Sequence, residues 1–283
     1  MSAPSLFRPT DHGVSVVEDL AAVTGVLAKE PVSTCMVAAR VDECGLHPRS
    51  LGAELWMRGH VERALCYAGP NLVPLRGRPA DLRAFSDRAL GSVRRCSSVV
   101  GSAELVMPMW ERLSRGWGPA RDIREHQPLM SLTRPPFCPS DDAVRRVRVP
   151  ELDAYLVAAI DMFINEVGVD PRAGDGGRAY RSRVAGLIAA GRAFARFEQG
   201  EVIFKAEIGA QSPAVGQIQG VWVHPQHRGR GLGSAGTAAV AAAVLRSGRI
   251  ASLYVNGFNS AALAAYDRVG FRQIGTFATV LLD

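Results

Sequence analysis

The stretch Val221–Ser234, V-W-V-H-P-Q-H-R-G-R-G-L-G-S, constrains the fold of this chain more than any other. A short β-branched and aromatic run ends before Pro225, a basic and glycine-rich turn follows, and the next segment is rich in alanine. This order predicts a strand that passes through a tight turn into a helix. The first turn of such a helix directs several backbone N–H groups and the positive end of the helix dipole at one place. The stretch therefore predicts a phosphate-binding turn, to which Arg228 and Arg230 add charge.

The glycines in this turn narrow the choice of phosphate ligand. An ordinary strand-to-helix turn has no use for three alternating glycines, which lower stability (Gly229, Gly231 and Gly233). Gly231, Gly233 and Gly236 also fit the dinucleotide pattern G-x-G-x-x-G, but that pattern needs an acidic residue about 20 positions further on. The first acidic residue after the turn is Asp267. No G-x-x-x-x-G-K-[ST] sequence is present, which disfavours a nucleoside triphosphatase. A pyrophosphate-bearing carrier such as coenzyme A remains.

Two motifs follow one another in this part of the chain. The turn matches Q/R-x-x-G-x-G/A at Gln226, Gly229 and Gly231. A second pattern, N-x-x-A-x-x-x-Y-x-x-x-G-F, is matched by Asn259, Ala262, Tyr266, Gly270 and Phe271. With both motifs, about residues 150–283 resemble the GCN5-related N-acetyltransferase (GNAT) family. The resemblance implies an α/β fold with a mixed, mostly antiparallel twisted sheet flanked by helices, and direct acyl transfer from acetyl-CoA to an amine.

The resemblance also implies which residues contact acetyl-CoA. Asn259 contacts the pantetheine arm, which inserts beside a splayed strand, and Tyr266 protonates the departing CoA thiolate. The two residues are seven positions apart, so two helical turns place them on about the same side. A phenol carries its proton at neutral pH and can therefore act as a general acid. The coenzyme-binding residues implied in this way are Val221, Val223, Arg228, Gly229, Arg230, Gly231, Leu232, Gly233, Ser234 and Asn259.

The general base is harder to assign. Many members of the family place Glu or Asp where this chain has Gln219 and Gly220, and neither of these can accept a proton usefully. The candidates for a substitute are Glu207 on the preceding strand, Glu166 near the end of the first helix, or a water chain to either. His224 is interpreted as part of the loop scaffold. His227 is expected near the phosphates, so neither histidine is the preferred base.

Periodicity predicts the order α-α-β-β-β-α-β-α-β for the second half of the chain. Gly168 and Asp170-Pro171 end the first helix, and Gly270 ends the last one. This order is the plan of the GNAT family. The predicted helices are Leu152–Val167, Tyr180–Ala190, Ala235–Leu245 and Ala261–Val269, and the predicted strands are Phe194–Glu198, Val202–Ile208, Gly216–His224, Leu253–Asn256 and Phe271–Leu282.

The first half predicts a second α/β domain, which we delimit as residues 1–135, followed by a proline-rich linker at 136–149 and the GNAT domain at 150–283. It has no R-x-x-G-x-G turn. We interpret it as a degenerate GNAT-like copy without its own coenzyme, which shapes the acceptor pocket or forms the contact of a homodimer. It resembles an uncharacterised domain that precedes GNAT domains in some actinobacterial proteins. Its predicted strands are Cys35–Val41, Ala53–Met57, Glu62–Tyr67 and Val93–Val100, its predicted helices are Pro79–Leu90 and Glu104–Leu113, and its predicted core includes Met107, Met109, Trp110 and Trp117.

Composition predicts a cytoplasmic protein. No apolar run of 18 residues is present, and the first residues have no apolar signal core. The five cysteines lack C-x-x-C spacing, which predicts reduced thiols and no metal site. The net charge of +6 is spread thinly, without a basic run interleaved with aromatic residues, so nucleic acid is not an expected partner.

The sequence therefore predicts an acetyl-CoA-dependent N-acetyltransferase. The acceptor, a small-molecule or a protein amine, stays open, although Glu166 and Asp170 would favour a cationic amine. A mycothiol-synthase-like enzyme is one alternative, and a non-catalytic acyl-CoA-binding regulator is another. A dinucleotide-binding protein is a third.

Overall fold

The computed structural model describes residues 13–283, so the predicted absence of a signal core in the first residues lies outside the described part. Contacts divide the chain into two compact units. The first comprises the residues up to Pro128 together with Gly275–Asp283, and the second comprises Leu129–Ile274. The segment predicted as a linker, 136–149, thus lies inside the second unit. Each unit is described below by itself.

The first unit begins with a strand and two helices and continues with an antiparallel meander. Its elements are β1 (Val14–Val16), α1 (Leu20–Lys29), α2 (Cys35–Cys44), α3 (Pro48–Leu51), β2 (Glu54–Arg58), β3 (Leu65–Ala68), β4 (Asn71–Arg76), α4 (Pro79–Leu90), β5 (Ser98–Ser102), α5 (Ala103–Trp117) and the start of β6 (Asp122–Leu132). Strands β1 to β4 are antiparallel neighbours, and β4 pairs in parallel with β5.

The second unit repeats this order. Its elements are β7 (Arg145–Arg146), α6 (Leu152–Val167), α7 (Arg178–Ala189), β8 (Ala193–Glu198), β9 (Glu201–Gln211), β10 (Val215–Val223), α8 (Leu232–Arg246), β11 (Ile250–Tyr254), α9 (Ser260–Val269) and the start of β12 (Arg272–Leu281). Strands β7 to β10 are antiparallel neighbours, and β10 pairs in parallel with β11. The predicted order α-α-β-β-β-α-β-α-β is confirmed.

Each unit is completed by a strand that comes from the other unit's part of the chain. In the first unit, β12 pairs with β5 through Phe277–Leu281 and Ser98–Ser102. In the second unit, β6 pairs with β11 through Leu129–Leu132 and Ala251–Tyr254. Ala278, Val280 and Leu282 consequently pack in the core of the first unit. Local periodicity gave no indication of this strand exchange.

The prediction of a strand at Cys35–Val41 is wrong, because these residues begin helix α2. Val37 and Val41 are four residues apart and buried on one face, while Met36 before them and Ala38 and Ala39 between them favour a helix. Two other predicted strands start too early. Residues 61–63 form a turn before β3, and Val93 lies exposed ahead of β5. The other predicted helices and strands are present with shifts at their ends.

The predicted core of the first unit is confirmed. Met109 and Trp110 are buried, and Met107 and Trp117 pack partly buried against the same cluster. The five cysteines are free thiols. Between Gly13 and Asp283, each helix is too short or too polar to cross a bilayer.

Candidate functional site

The predicted strand–turn–helix is present where β10 leads into α8. After Val223 a short 3-10 helix, Pro225–His227, turns the chain, and α8 begins at Leu232. Gly229 and Gly231 have φ angles of 75° and 81°, a backbone conformation that favours glycine. A Cβ at either position would meet no atom within 4 Å. The space beside the main chain of this turn is therefore open.

The N-terminus of α8 has backbone donors without side-chain acceptors. Its N-cap, Gly231, offers no side chain, and the first turn contains no acidic residue. The first N–H groups of a helix have no partner within the helix, and together with the helix dipole they favour an anion. The N-terminus of α8 is therefore electrostatically suited to an anion, and phosphate binding at this turn stays a prediction.

Two arginines border this turn. Arg228 Nε donates to the carbonyl oxygen of Val223 over 3.1 Å, which ties the turn to the end of β10. Arg268 on α9 donates from Nη1 to Ser234 Oγ over 3.0 Å, and this serine lies in the first turn of α8. Sequence reasoning missed Arg268. Its place on the same helix as Tyr266, two residues further on, is the signal that could have found it.

Strands β10 and β11 separate beyond their first residues. Their parallel pairing covers Val215–Gln217 and Ile250–Ser252. Further along, the N–H of His224 donates to Ile203 on β9. Because main-chain groups alternate between the two edges of a strand, those of Val223 are directed to the edge that β11 has left, whereas Val221 lies within a register shift between Gln219 and Trp222. This is the splayed edge that the family resemblance implies.

Helix α9 carries the second motif. Asn259 caps it, with Oδ1 accepting from the N–H of Ala262 over 3.1 Å. Tyr266 is buried, and its ring centroid lies 6.1 Å from that of Phe271. Burial raises the pKa of Tyr266, and the negative charge of Glu166 raises it further. Tyr266 thus keeps its proton at neutral pH, and Glu166 lies within its electrostatic reach.

The two candidate bases lie in different surroundings. Glu166 is exposed in the last turn of α6. Glu207 is buried on β9 opposite Gln219, and Arg183 Nη2 donates to its Oε1 over 2.7 Å. Burial alone would raise the pKa of Glu207, but Lys205 and Arg183 outweigh burial and lower it.

The remaining predicted residues have structural partners. His224 Nδ1 accepts from the N–H of Gln226 over 3.3 Å, which is consistent with a role in the loop scaffold, and its ring packs edge-on against that of His227. Asp170 is ion-paired with Arg172 at 2.8 Å. Within residues 13–283, no three His, Cys, Asp or Glu side chains come together as a metal ion would require.

In the first unit, α4 takes the place in the order of elements that α8 has in the second unit. A side chain of α4 itself caps its N-terminus. At the N-terminus of α4, Asp81 Oδ2 accepts from the N–H of Arg78 over 3.1 Å. Its carboxylate is also paired with Arg58 at 2.8 Å and Arg63 at 3.2 Å. A carboxylate thus stands where the second unit has open N–H groups.

Comparisons with known proteins show the class of fold. An acetyltransferase of the GNAT family from Colwellia psychrerythraea is 12% identical, with a TM-score of 0.57 over 95% of this chain and 99% of its own. The chain has the GNAT fold. A tandem GNAT protein from the clavulanic acid biosynthesis pathway is 14% identical, with a TM-score of 0.53 over 93% of this chain and 94% of its own. The predicted fold class is confirmed.

Two family models match separate parts of the chain. The model described as FR47-like protein matches residues 205–280, which contain both motifs. A domain of unknown function, DUF4081, matches residues 53–155. The mycothiol acetyltransferase of Kocuria rhizophila is 43% identical over 63 residues, and the match spans 22% of this chain and 21% of that protein. The predicted resemblance to the GNAT family, with an uncharacterised domain before it, is confirmed.

Arg268 provides a test of the turn. Replacing it by alanine should weaken binding of coenzyme A about 10- to 150-fold, because a hydrogen bond to a charged group contributes about 1.5–3 kcal/mol. Isothermal calorimetry with coenzyme A measures the change. Arg272→Ala, four positions further along, is the control and should bind as the wild type does. Equal affinity of R268A and wild type would show that Arg268 serves only the bond to Ser234.

Proposed function

We propose that this protein is an acyltransferase that transfers the acyl group of acetyl-CoA to an amine. One observation carries the proposal: the uncapped N-terminus of α8 adjoins the edge that β10 exposes where β11 departs. A ligand that fits both features has an anionic end and an extended arm with amide groups. Coenzyme A has a pyrophosphate and a pantetheine arm, so it matches this combination.

The residues that hold the coenzyme follow from these two features. The N–H groups of Leu232, Gly233 and Ser234 would face the pyrophosphate, with Arg228 and Arg230 supplying charge. The main chain of Val221 and Val223 would pair with the pantetheine amides, as an added strand does at a sheet edge. Asn259 already uses Oδ1 as a helix cap, so its amide nitrogen is the group available to the arm.

Proton transfer would involve Tyr266 and a carboxylate. Tyr266 supplies a proton to the CoA sulfur as the thioester bond breaks. Of the two candidate bases we favour Glu166, because it reaches solvent, whereas Arg183 and Lys205 hold Glu207 as a stable anion. A carboxylate with a lowered pKa is a poor proton acceptor. Glu166 therefore takes the proton of the amine, directly or through water.

Acetyl-CoA is the acyl donor we propose, and the acceptor is an amine of small-molecule or protein origin. The first unit would not bind a second coenzyme, because the carboxylate of Asp81 already lies at the N-terminus of α4, where it accepts from the N–H of Arg78 and would repel an anion. We propose that it acts as a degenerate GNAT-like copy. The cytoplasmic location and the homodimer stay predictions.

Calorimetric titration with acetyl-CoA tests the proposed function. The wild type should bind with a micromolar dissociation constant, and Gly231→Trp should abolish binding because a large side chain fills the open turn. Gly248→Trp is the matched control: Gly248 has a φ of 76° and lies just beyond the other end of α8, so the backbone strain is similar. It should bind as the wild type does.

Absence of binding to the wild type would overturn the proposed function. Equal loss in both variants would show that strain, not the turn, is responsible. Binding of NADP without binding of acetyl-CoA would instead support a dinucleotide protein.

A further inference from the structure

A group of charged side chains is buried in the second unit between β9 and the helices α6 and α7. Lys205 is fully buried, and its Nζ lies 3.6 Å from Glu207 Oε2. Glu207 is also paired with Arg183 at 2.7 Å. Glu207 thus lies between two basic side chains, and this charge cluster (Lys205, Glu207 and Arg183) carries a net charge of +1 while Lys205 is protonated. Burial lowers the pKa of Lys205, and the negative charge of Glu207 opposes that shift.

The ammonium of Lys205 is poorly compensated. Among the described residues, its Nζ and Glu207 Oε2 have no hydrogen-bond partner. The Nζ lies 5.3 Å from the centroid of the Tyr155 ring, and the charge of Glu166 also acts on it. Moving an ion from water into a protein interior costs roughly several kcal/mol. A protein with apolar residues of similar size in place of a buried ion pair is often at least as stable. Packing alone therefore gives no reason for a lysine at position 205.

The cluster lies directly behind the main chain of β10 at Gly220. A Cβ on Gly220 would lie 3.0 Å from Lys205 Nζ, 3.1 Å from Met162 Cε and 3.6 Å from Glu207 Cδ. Gly220 has a φ of 56°, and the register between β9 and β10 shifts between Gln219 and Trp222. The bulge, together with the lack of a side chain at Gly220, brings the main chain of β10 close to the ammonium group of Lys205.

This position faces the reacting end of the ligand in the proposed function, on which the present inference rests. An arm that starts at the N-terminus of α8 and runs along β10 past Val223 and Val221 brings its far end to Gly220, since an extended chain advances about 3.3 Å per residue. The far end of acetyl-CoA is the thioester.

We propose that Lys205 is a positioning residue whose buried charge polarises the thioester carbonyl through the main chain at Gly220. As the amine nitrogen bonds to the carbonyl carbon, negative charge builds on the carbonyl oxygen. That charge is lost when the C–S bond breaks, with Tyr266 giving a proton to the sulfur and Glu166 taking one from the amine. A fixed cation in a dry surrounding stabilises that charge more strongly than one in water does. Glu207 then holds the lysine in place and is not the base.

Lys205→Met tests the proposal, because it removes the charge and keeps a long apolar side chain. The Arg183–Glu207 pair remains as a neutral unit, so the midpoint of urea unfolding should stay the same or rise. The rate of CoA release from acetyl-CoA, measured with a thiol reagent, should fall about 10- to 100-fold. The dissociation constant for acetyl-CoA should change less than about threefold, since the ground state gains little from the cation.

Infrared spectroscopy tests the role of Lys205 without measuring turnover. The infrared C=O band of [1-13C]acetyl-CoA bound to Lys205→Met should lie at higher wavenumber than when bound to the wild type, because the carbonyl is less polarised. Arg183→Met is the matched control: it also removes one positive charge, but its side chain is 46% exposed, so solvent screens it. Its band should shift less.

The outcomes separate this inference from the proposed function. If the wild type does not bind acetyl-CoA, both are overturned. If it binds, and K205M has the wild-type band and rate, only the role of Lys205 is overturned. If K205M is clearly less stable than the wild type, the lysine serves the fold and the inference also fails.

Discussion

Replacing Tyr266 by phenylalanine should lower kcat by about 100-fold or more, because positioned general acids contribute about 10²–10⁴-fold. The ring stays, so its packing against Phe271 is kept. Binding of acetyl-CoA should be unchanged within about twofold, since the hydroxyl acts on the leaving sulfur and not on the bound ground state. Stopped-flow or steady-state assay of CoA release, together with calorimetry, measures both quantities.

The pH dependence of kcat shows whether Tyr266 acts as a general acid or is only a buried hydroxyl. The pKa of Tyr266 is raised by burial, so the group loses its proton only above the usual range of tyrosine. An alkaline decline of kcat in the wild type should therefore begin above about pH 10, and it should be missing in Y266F. Tyr67→Phe, at a buried tyrosine of the first unit, is the control and should keep the wild-type rate. A Y266F enzyme with wild-type kcat would contradict the assigned role.

Replacing Asp81 by alanine should lower the free energy of unfolding by about 2–4 kcal/mol. The value is set below the roughly 3–5 kcal/mol of a fully buried pair, because Arg58 and Arg63 reach solvent. The side chain of Asp81 is fully buried and holds two arginines and the N-terminus of α4. Urea unfolding at pH 7 measures the loss. Asp87→Ala on the same helix, which breaks a half-exposed pair with Arg112, should cost less than about 1 kcal/mol.

The contribution of Asp81 to the free energy of unfolding should decrease as pH falls. Burial would raise its pKa, but hydrogen bonds from Arg58, Arg78 and Arg63 lower it below the usual value. A carboxyl group with a lowered pKa in the folded state contributes stability above its unfolded pKa of about 4, and this contribution is lost as pH falls through the folded value. The stability difference between wild type and D81A should thus narrow below about pH 4. A difference that is constant from pH 7 to pH 2 would contradict the ionised pair.

Sequence alone predicted the parts of the site that local chemistry determines. The turn at Gly229 and Gly231 and the helix after Asn259 depend on glycine conformation and on capping, which a few adjacent residues encode. Helix α2 was mispredicted because Val37 and Val41 have high β propensity, and burial on one helical face overrides that propensity. Gln219 and Gly220 were correctly seen as lacking an acid.

Features that depend on pairing between distant segments escaped sequence reasoning. The register that places Glu207 opposite Gln219, and the bulge that brings Gly220 to Lys205, exist only once β9 and β10 are aligned. Arg268 comes close to Ser234, 34 positions away in the chain, because α8 and α9 pack together. The hydrophobic periodicity of a single segment does not predict contacts with distant segments, so the charge cluster could not be predicted from the sequence.

The strand exchange has a consequence for how the chain is made. Strand β5 is complete once residue 102 has been synthesised, but the strand that pairs with it, Phe277–Leu281, follows some 175 residues later. At a synthesis rate of about 5–20 residues per second, this edge stays uncovered for roughly 9–35 s. An unpaired edge invites pairing with other chains. The folding of the first unit therefore cannot finish until the second unit has been translated.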